Sequence, residues 1–580
     1  MISCRWLMHS LSHALERPRL AAMRKFPGLC LLLLLLFLVA ALINPVREMM
    51  VDDDWAYGLT VRHLLATGKY HLNDWAAANM PAQIYWAAFL AQIFGYSFTI
   101  LRFSSLILLI FGIIALYCLL RDFGVPDNEA SLLIFAVLSS PAVLFLSFTF
   151  QTDVQFLGWQ ILALWLYTRG LSQESPLLMA VASVAACAAI GTRQFGVALV
   201  AGLLATWIIF EQQRVRKTPL YLIGLVLPLL VTFWQFTLGV SRATFTQKVR
   251  LAEQVAYMRD FSRLGGDVLW RPTVILQYVG LFLLPLLPLL VLLVRNTWTG
   301  REPPKSDGAA FSRSDLWLAG VWIMYLIAGV CIGYFFYLPR ILMPYLAWLL
   351  PNAQTSPFGF KRHLALTLLT AGFAVLFGWL LSRRYLDRQN WQRLSTAEWF
   401  VVLSGMALLG LQLVYAQFYD VYLIQFLPFA VFALGKMAPT WPRWCKGTTA
   451  TLCLVMLSVS SLWTRGTLAR AEASWRAAEI ARSAGAAPQE VGGNMTWSCY
   501  QGAFDEWIAR IGGLNPTRRY IGSNTMHFAF FDFLNRRFDH TKYLVTDRAD
   551  PNGKIVNQVD YRDSWLCPRS IYVLRQSAGE

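Results

Sequence analysis

The sequence predicts an all-α polytopic membrane protein with a small α/β domain after its last apolar segment. Hydrophobic residues make up 57% of the 580 residues and charged residues only 14%, whereas about a quarter of the residues in a soluble globular chain are charged. The apolar residues fall in blocks of about 18 to 22, long enough for a helix to cross a hydrocarbon layer of roughly 30 Å. These observations exclude an ordinary soluble enzyme and predict about 11 to 13 transmembrane helices.

Basic residues and composition divide the chain into three segments. Residues 1–27 are rich in arginine and form a cytoplasmic N-terminal segment, because Lys and Arg favour the cytoplasmic side of a membrane. Residues 28–464 form the transmembrane domain, with an external loop over 47–97. Residues 465–580 are less apolar and form an external α/β domain, in which an amphipathic helix precedes the strand-like runs KYLVT and SIYVLR.

Three further features of the sequence concern membrane orientation, the number of helices and a disulfide. The net charge of +17 comes mostly from short loops between apolar blocks, which indicates membrane orientation rather than nucleic-acid binding. Basic runs at both ends of the stretch 338–398 leave its number of helices undecided. In the C-terminal domain, Cys499 and Cys567 form a disulfide only if that domain faces an oxidising compartment.

An acidic triplet, Asp52, Asp53 and Asp54, follows the first apolar block directly. Adjacent carboxylates repel one another, so each must be solvated, paired or bound to a cation. At a membrane surface such a group can take the proton from an attacking hydroxyl. The triplet can also hold Mg²⁺ or Mn²⁺, or it can simply be a solvated start of a loop.

The segments DDDWAYGLTVRHLLATGKY, PAQIYWAAFLAQIFG and LRFSSLILLIFGIIALYCLLRDFG, in this order, resemble the start of the family 39 type of lipid-sugar-dependent glycosyltransferases. This family includes the protein O-mannosyltransferases and the aminoarabinose transferase, and its membrane fold is of the GT-C type. Its Asp-Glu-x-x-Tyr motif falls on Asp53, Asp54 and Tyr57. The resemblance therefore implies an inverting transferase with Asp53 in the catalytic position, Asp54 assisting and Tyr57 binding substrate. Asp53 and Asp54 are also the ligands of a divalent cation, if the enzyme uses one.

Later segments are similar to the same family and supply further candidate substrate-binding residues. These segments are SFTFQTDVQF with Asp153, GTRQFG with Arg193, YLPRILMP with Arg340, and YDVYLIQFLPF with Asp420 and Tyr422. The last segment has Val421 where the family has an arginine.

One departure concerns the segment before PAQIYW. Where many members have Asp-Lys-Pro-Pro, this chain has Asn79, Met80, Pro81 and Ala82, and so lacks an acid and a cation. Either Asp74 or Asp153 replaces the acid, or the donor differs.

The donor of such a transferase carries a phosphate, which guanidinium groups bind in a bidentate manner. Arg193 and Arg340 both lie near helix ends on the non-cytoplasmic side in the predicted topology, so either can bind this phosphate. The alternative for each is a solvated loop arginine. For Asp153 the alternative is a helix N-cap, because it follows Thr152 at the start of a helix.

Taken together, the sequence predicts a transferase that moves a sugar from a polyprenyl-phosphate-linked donor to a glycan, lipid or protein acceptor of the cell envelope. The reaction would take place on the non-cytoplasmic face of a membrane, and a bacterial plasma membrane fits best. The alternative is a transporter or a flippase for lipid-linked sugars. Transporters usually place ionisable groups at the middle of the membrane, whereas the acids of this chain cluster at predicted helix ends.

Overall fold

The computed structural model describes residues 26–211, 214–241, 243–298, 357–385, 394–438, 440–511, 523–549 and 554–576, together with a few positions between 320 and 327. This part of the chain is mostly helical. The helices of the first half are α1 (Pro27–Ile43), α2 (Asp54–Thr67), α3 (Pro81–Phe94), α4 (Phe98–Asp122), α5 (Asp127–Ser139), α6 (Pro141–Ser147), α7 (Thr152–Ser172), α8 (Pro176–Thr192), α9 (Val197–Ala205), α10 (Arg214–Ser241), α11 (Phe245–Arg259), α12 (Phe261–Phe282) and α13 (Leu287–Trp298). The remaining helices are α14 (Pro357–Tyr385), α15 (Thr396–Val414), α16 (Leu427–Met437), α17 (Arg443–Ser483), α18 (Met495–Tyr500), α19 (Ala503–Ile511) and α20 (Ser523–Asp539).

Five of the described helices are long and apolar enough to cross a membrane, or seven if each of two bent pairs counts as one span. Three further apolar helices are shorter, among them Pro27–Ile43 and Pro176–Thr192. The bent pairs are α5 with α6, at 71°, and α12 with the helix that follows it, at 82°. Several of the predicted crossings are thus short or broken helices. A hydropathy pattern locates apolar blocks but does not show where a helix bends.

Small residues allow close packing between helices of the bundle. At Gly158 in α7, an added Cβ would lie 2.5 Å from the carbonyl oxygen of Leu108 in α4. A side chain at this position would therefore separate the two helices. Packing of backbone against backbone through glycine is typical of helices in membranes.

The predicted boundary between residues 464 and 465 lies within one continuous helix. The helix α17 has 41 residues, of which the first half is apolar and the second half has the predicted amphipathic pattern. The C-terminal domain packs on this second half. At Gly466, an added Cβ would lie 2.3 Å from the backbone nitrogen of Ser564, so the glycine permits close docking of the domain.

The domain contains a four-stranded sheet with the order β1-β2-β4-β3. Its strands are β1 (Val491–Gly492), β2 (Tyr543–Thr546), β3 (Lys554–Arg562) and β4 (Pro568–Arg575). The first pair is parallel and the other two pairs are antiparallel. The predicted runs KYLVT and SIYVLR coincide with β2 and β4.

Cys499 is buried, Cys567 is exposed and both are free thiols, so the structure does not contain the disulfide that the sequence left open.

Candidate active site

A cavity of about 330 Å³ lies where the ends of the membrane helices meet the C-terminal domain. Its walls come from the acidic loop, from the starts of α7 and α11, from the segment after α8, from the segment after α15 and from the C-terminal domain. The lining residues are Asp52, Asp53, Tyr57, Trp75, Ala77, Ala78, Leu146, Gln151, Thr152, Asp153, Arg193, Gln194, Phe195, Thr246, Arg250, Tyr415, Tyr419, Val421, Tyr422, Met495, His527 and Phe531.

The loop before the acidic triplet is fixed to the start of α4. Arg102 is buried and donates hydrogen bonds to the carbonyl oxygens of Arg47 and Met49. The carboxylate of Glu48 accepts from the backbone nitrogen of Phe98 at 3.1 Å and so satisfies a free amide at the start of this helix. The guanidinium and the carboxylate together hold the loop in one place, as an active-site loop requires.

A tight turn at Asp52 divides the triplet. This residue has a φ of 48°, in the left-handed region that Asp tolerates better than most residues. After the turn, Asp52 and Asp53 line the cavity, whereas Asp54 turns into the protein and is only 1% exposed. Adjacent acids of one motif therefore have different surroundings.

Asp54 contacts the chain before α7 rather than the cavity. Its carboxylate accepts a hydrogen bond from the backbone nitrogen of Phe150 at 3.0 Å. Burial raises the pKa of Asp54 to about 8, because the charged form loses its hydration. The environment thus favours a protonated side chain that joins two segments, and the assisting role of Asp54 stays a prediction.

The carboxylate of Asp53 is held by an indole. The Nε1 atom of Trp75 donates to Oδ1 of Asp53 at 2.6 Å. The backbone of Trp75 is fixed in turn, because its nitrogen donates to the side chain of Asn73 at 3.0 Å.

Arg193 follows α8 and reaches the start of α7. Its guanidinium lies 3.0 Å from the carboxylate of Asp153, and its Nε donates to the hydroxyl of Thr152 at 2.7 Å. The same guanidinium lies over the ring of Tyr422 with 4.2 Å to the ring centroid. A carboxylate, a hydroxyl and an aromatic face thus orient one cation at the cavity wall.

Arg250 supplies a second cation to the cavity. It lies on α11, which begins with a capping box of Thr244 and Gln247. The start of this helix is tied to the loop of Trp75, since Asp74 accepts from the backbone nitrogen of Phe245 at 2.8 Å. Among the described residues, the Arg250 guanidinium makes no hydrogen bond or ion pair, and its charge acts on Asp53 and on the neighbouring tyrosines. It is thus a cation that a ligand can pair with.

Aromatic side chains form another part of the cavity wall. Tyr415, Tyr419 and Tyr422 come from the segment that joins α15 to α16, and Phe195 packs edge-on against Tyr415 and Tyr422. Rings of this kind combine an apolar face with a polar hydroxyl group. The wall therefore suits a ligand that is partly polar, such as a sugar.

The C-terminal domain closes the cavity with Met495, His527 and Phe531. The imidazole of His527 packs against the indole of Trp75 with 5.3 Å between ring centroids. Burial lowers the pKa of His527, and the nearby charge of Arg250 lowers it further. At neutral pH this side chain is therefore a neutral imidazole, with one donor and one acceptor.

Of the residues predicted from the sequence, the structure brings Asp53, Tyr57, Asp153, Arg193 and Tyr422 to the same cavity. Asp54 and Asp420 do not line it. Asp420 is buried at the start of the 3-10 helix Asp420–Phe426, where its side chain accepts from the backbone nitrogen of Val421 at 2.9 Å. Arg340 lies outside the described residues.

The sequence also left alternatives open for Asp153 and Asp74. Gln151, and not Asp153, occupies the N-cap position of α7. Asp153 lies in the first turn, where a negative charge is favourable, and it pairs with Arg193. Asp74 accepts from the first backbone nitrogen of α11 and is not among the cavity residues, whereas Asp153 is one of them.

Sequence reasoning missed Trp75, Arg250 and His527. Trp75 lies in the external loop predicted over 47–97 and Arg250 lies between apolar blocks of the predicted transmembrane domain, but a single tryptophan or arginine in such a segment is no signal by itself. His527 lies more than 470 residues after Asp53 along the chain. Only the packing of the domain reveals that both face one cavity.

No three His, Cys, Asp or Glu side chains converge as a metal-binding group within the described parts of the chain. Asp53 lines the cavity and Asp54 is buried beside Phe150, and their role as ligands of a divalent cation stays a prediction. A cation here would need most of its ligands from water or substrate, and no step of the mechanism below depends on one.

Comparison with known proteins gives a family match over part of the chain. Residues 79–235 match the family described as "Dolichyl-phosphate-mannose-protein mannosyltransferase". This range includes Asp153 and Arg193. The match confirms the predicted resemblance to lipid-sugar-dependent glycosyltransferases, and with it the predicted class of enzyme. The chain is a multi-pass integral membrane protein. Comparison with curated proteins found no significant match.

Solved structures with similar folds include two of ArnT from Cupriavidus metallidurans. The one bound to undecaprenyl phosphate has 14% sequence identity and a TM-score of 0.41, over 95% of this chain and 99% of that chain. The oligosaccharyltransferase AglB from Archaeoglobus fulgidus, in complex with an inhibitory peptide and a dolichol-phosphate, has 16% identity and a TM-score of 0.30, over 70% of this chain and 56% of that chain. With scores under 0.5, these similarities are too distant to assign residues or ligands.

Proposed function

We propose that this protein transfers a sugar from a polyprenyl-phosphate-linked donor to a glycan, lipid or protein acceptor of the cell envelope. The observation that carries the proposal is a single cavity with a carboxylate, Asp53, on one wall and two guanidinium groups, Arg193 and Arg250, on others. This is the arrangement needed to activate a hydroxyl and to stabilise a phosphate leaving group.

In the proposed reaction, Asp53 takes the proton from an acceptor hydroxyl as its oxygen forms a bond to the anomeric carbon of the donor sugar. The bond between that carbon and the phosphate oxygen breaks, and the polyprenyl phosphate leaves with its electron pair. Attack on the side opposite the leaving group inverts the anomeric centre. Arg193 and Arg250 stabilise the charge that develops on the phosphate. If the acceptor were itself a phosphate, Asp53 would position it rather than deprotonate it.

Arg250 offers a reason why the missing Lys of the Asp-Lys-Pro-Pro segment can be tolerated. At that place Asn79 accepts a hydrogen bond from the side chain of Gln247 at 3.0 Å, one helical turn before Arg250. The cation then comes from α11 instead of from the loop. Asp153, paired with Arg193, is the second acid of the cavity.

A second cavity, of about 400 Å³, supports a lipid-linked donor. It is lined almost wholly by apolar side chains, including Phe426, Phe429 and Leu409. The 3-10 helix Asp420–Phe426 lies between the two cavities, because Tyr422 faces the charged one and Phe426 the apolar one. A prenyl chain in the apolar cavity would leave its phosphate near the arginines.

We further propose that the N-terminus is cytoplasmic and that the cavity and the C-terminal domain face the other side, in a bacterial plasma membrane. A carrier without transferase activity is the competing function. Against it, the charged groups lie under a domain at the helix ends rather than along a path through the bundle.

The test is Asp53→Asn in membranes that contain a lipid-linked sugar donor. We expect transfer of labelled sugar to fall by at least about 100-fold, since general base catalysis contributes about 10²–10⁴-fold. Asp532→Asn is the control, because Asp532 lies on an exposed surface and pairs with Arg536. Full activity of Asp53→Asn would exclude the catalytic role, and uptake of a lipid-linked sugar without transfer would favour a carrier. Activity that is lost with EDTA and restored by Mn²⁺ would add a divalent cation to the mechanism.

A further inference from the structure

We propose that Trp75 is a positioning residue for Asp53, and that the C-terminal domain fixes this position through its contacts with the Trp75 ring. The inference rests on the proposed role of Asp53. It goes beyond that role by making the C-terminal domain a part of the catalytic unit.

The first step is the hydrogen bond between the two side chains. The distance of 2.6 Å between Nε1 of Trp75 and Oδ1 of Asp53 is short for a nitrogen donor. An indole nitrogen can only donate. It therefore fixes one carboxylate oxygen, while the other oxygen can still accept a proton. To the described residues, this other oxygen makes no hydrogen bond. A general base needs both a fixed orientation and a free oxygen.

The second step is the immobility of the indole. Trp75 is 6% exposed, and its ring contacts two domain residues, Phe504 at 4.9 Å and Phe530 at 5.6 Å between centroids. His527 of the domain covers a further part of the ring. Aromatic pairs of this kind stabilise each other beyond the burial of their area. The indole therefore cannot turn without disturbing the domain.

The third step is the origin of these contacts. Phe504 lies on α19 and Phe530 on α20, both in the domain, and both are fully buried. Trp75 belongs to the loop before the membrane helix α3. The domain thus acts on the carboxylate through one side chain, and a shift of the domain changes the orientation of Asp53.

The experiment compares Trp75→Phe with Trp55→Phe. Trp55 is a matched control because it is also buried and contacts the ring of Trp75 at 5.9 Å. Its Nε1, however, has no hydrogen-bond partner among the described residues. Both variants remove the same atoms from neighbouring positions, but only one removes the bond to Asp53.

We expect Trp75→Phe to lower kcat by about 10- to 100-fold, because a small misplacement of a catalytic group can cost about 10²-fold. The KM values for donor and acceptor should stay within about twofold, since the binding groups are unchanged. Trp55→Phe should lower kcat much less than Trp75→Phe does. In the Asp53→Asn background, Trp75→Phe should add no further loss, because the two residues act as one unit.

Equal losses in Trp75→Phe and Trp55→Phe, or a change of KM alone, would overturn the inference. Additive losses in the double variant would also do so. If Asp53→Asn itself kept full activity, the proposed catalytic role of Asp53 would fail, whatever the tryptophan variants showed. If Trp75→Phe does not yield folded protein, Phe504→Leu tests the same contact, and an unchanged kcat in that variant would count against the domain's role.

Discussion

The guanidinium of Arg193 lies 3.0 Å from the carboxylate of Asp153, in a pair whose side chains are 13% and 3% exposed. Asp153 lies in the first turn of α7 and Arg193 directly follows α8, so the pair fixes the end of α8 against the start of α7. A buried pair contributes little net stability, but removal of one partner leaves an uncompensated charge. The pair therefore keeps a phosphate-binding group in place, and its loss affects both folding and binding.

We expect Arg193→Ala to destabilise the protein by about 3–5 kcal/mol, because Asp153 would stay buried without its partner. Arg193→Lys keeps the charge but cannot reproduce the planar donor set toward Asp153 and Thr152. This milder variant should therefore mainly raise the KM for the lipid-linked donor. Thermal unfolding in detergent and donor titration measure the two effects. Arg536→Ala, at an exposed pair, is the control, and equal unfolding temperatures for both alanine variants would contradict the prediction.

Arg250 offers a different test, because its guanidinium makes no hydrogen bond or ion pair with the described residues. We expect Arg250→Gln to raise the KM for the donor by about tenfold or more, which corresponds to about 1.4 kcal/mol, with little change in unfolding temperature. The exposed Arg259 at the end of the same helix provides the control variant Arg259→Gln. A donor KM that is the same in both variants would show that Arg250 does not bind the phosphate.

His527 is expected to contact the acceptor, since it enters the cavity from the side of the domain. His527→Phe keeps a ring but removes both nitrogen atoms. The loss of one hydrogen bond, worth about 0.5–1.5 kcal/mol, should raise the KM for the acceptor by up to about tenfold and leave the KM for the donor unchanged. The exposed His540, just after the same helix, gives the control His540→Phe. An effect on donor binding alone would assign His527 to the other substrate.

The raised pKa of Asp54 predicts that the free energy of unfolding depends on pH. Its pKa is raised to about 8 in the folded protein, whereas an unfolded chain has about 3.9. Between these values the folded state holds a proton that the unfolded state has lost, so the free energy of unfolding falls as the pH rises from about 4 to about 8. Asp54→Asn removes this titration and can still accept the hydrogen bond from the Phe150 nitrogen.

We therefore expect Asp54→Asn to unfold at a higher temperature than the unmodified protein at pH 8, and at a similar temperature at pH 4. Thermal unfolding at several pH values measures this difference. The control is Asp532→Asn, where the carboxylate is exposed. A lower unfolding temperature of Asp54→Asn at pH 8 would mean that the charged form of Asp54 is the stable one.

The sequence by itself determined the membrane-embedded helical architecture, the C-terminal α/β domain and the acidic triplet that follows the first helix. These features depend on composition and on short patterns, which can be recognised without knowledge of the fold. Apolar block length fixes what lies in lipid, and alternation within a few residues fixes the strands β2 and β4. The resemblance to known transferases likewise used local motifs, and it named Asp153 and Arg193, which line the same cavity.

Only the tertiary structure decided which groups meet. Asp53 and Asp54 are adjacent in the sequence, yet the left-handed turn at Asp52 sends one to the cavity and the other to the protein interior. Trp75, Arg250 and His527 come from three distant parts of the chain, and no local pattern distinguishes them from other residues of the same types. Their role depends on contacts between elements, because a loop, a helix end and a separate domain must pack together before the carboxylate has its indole donor and the cavity its second cation.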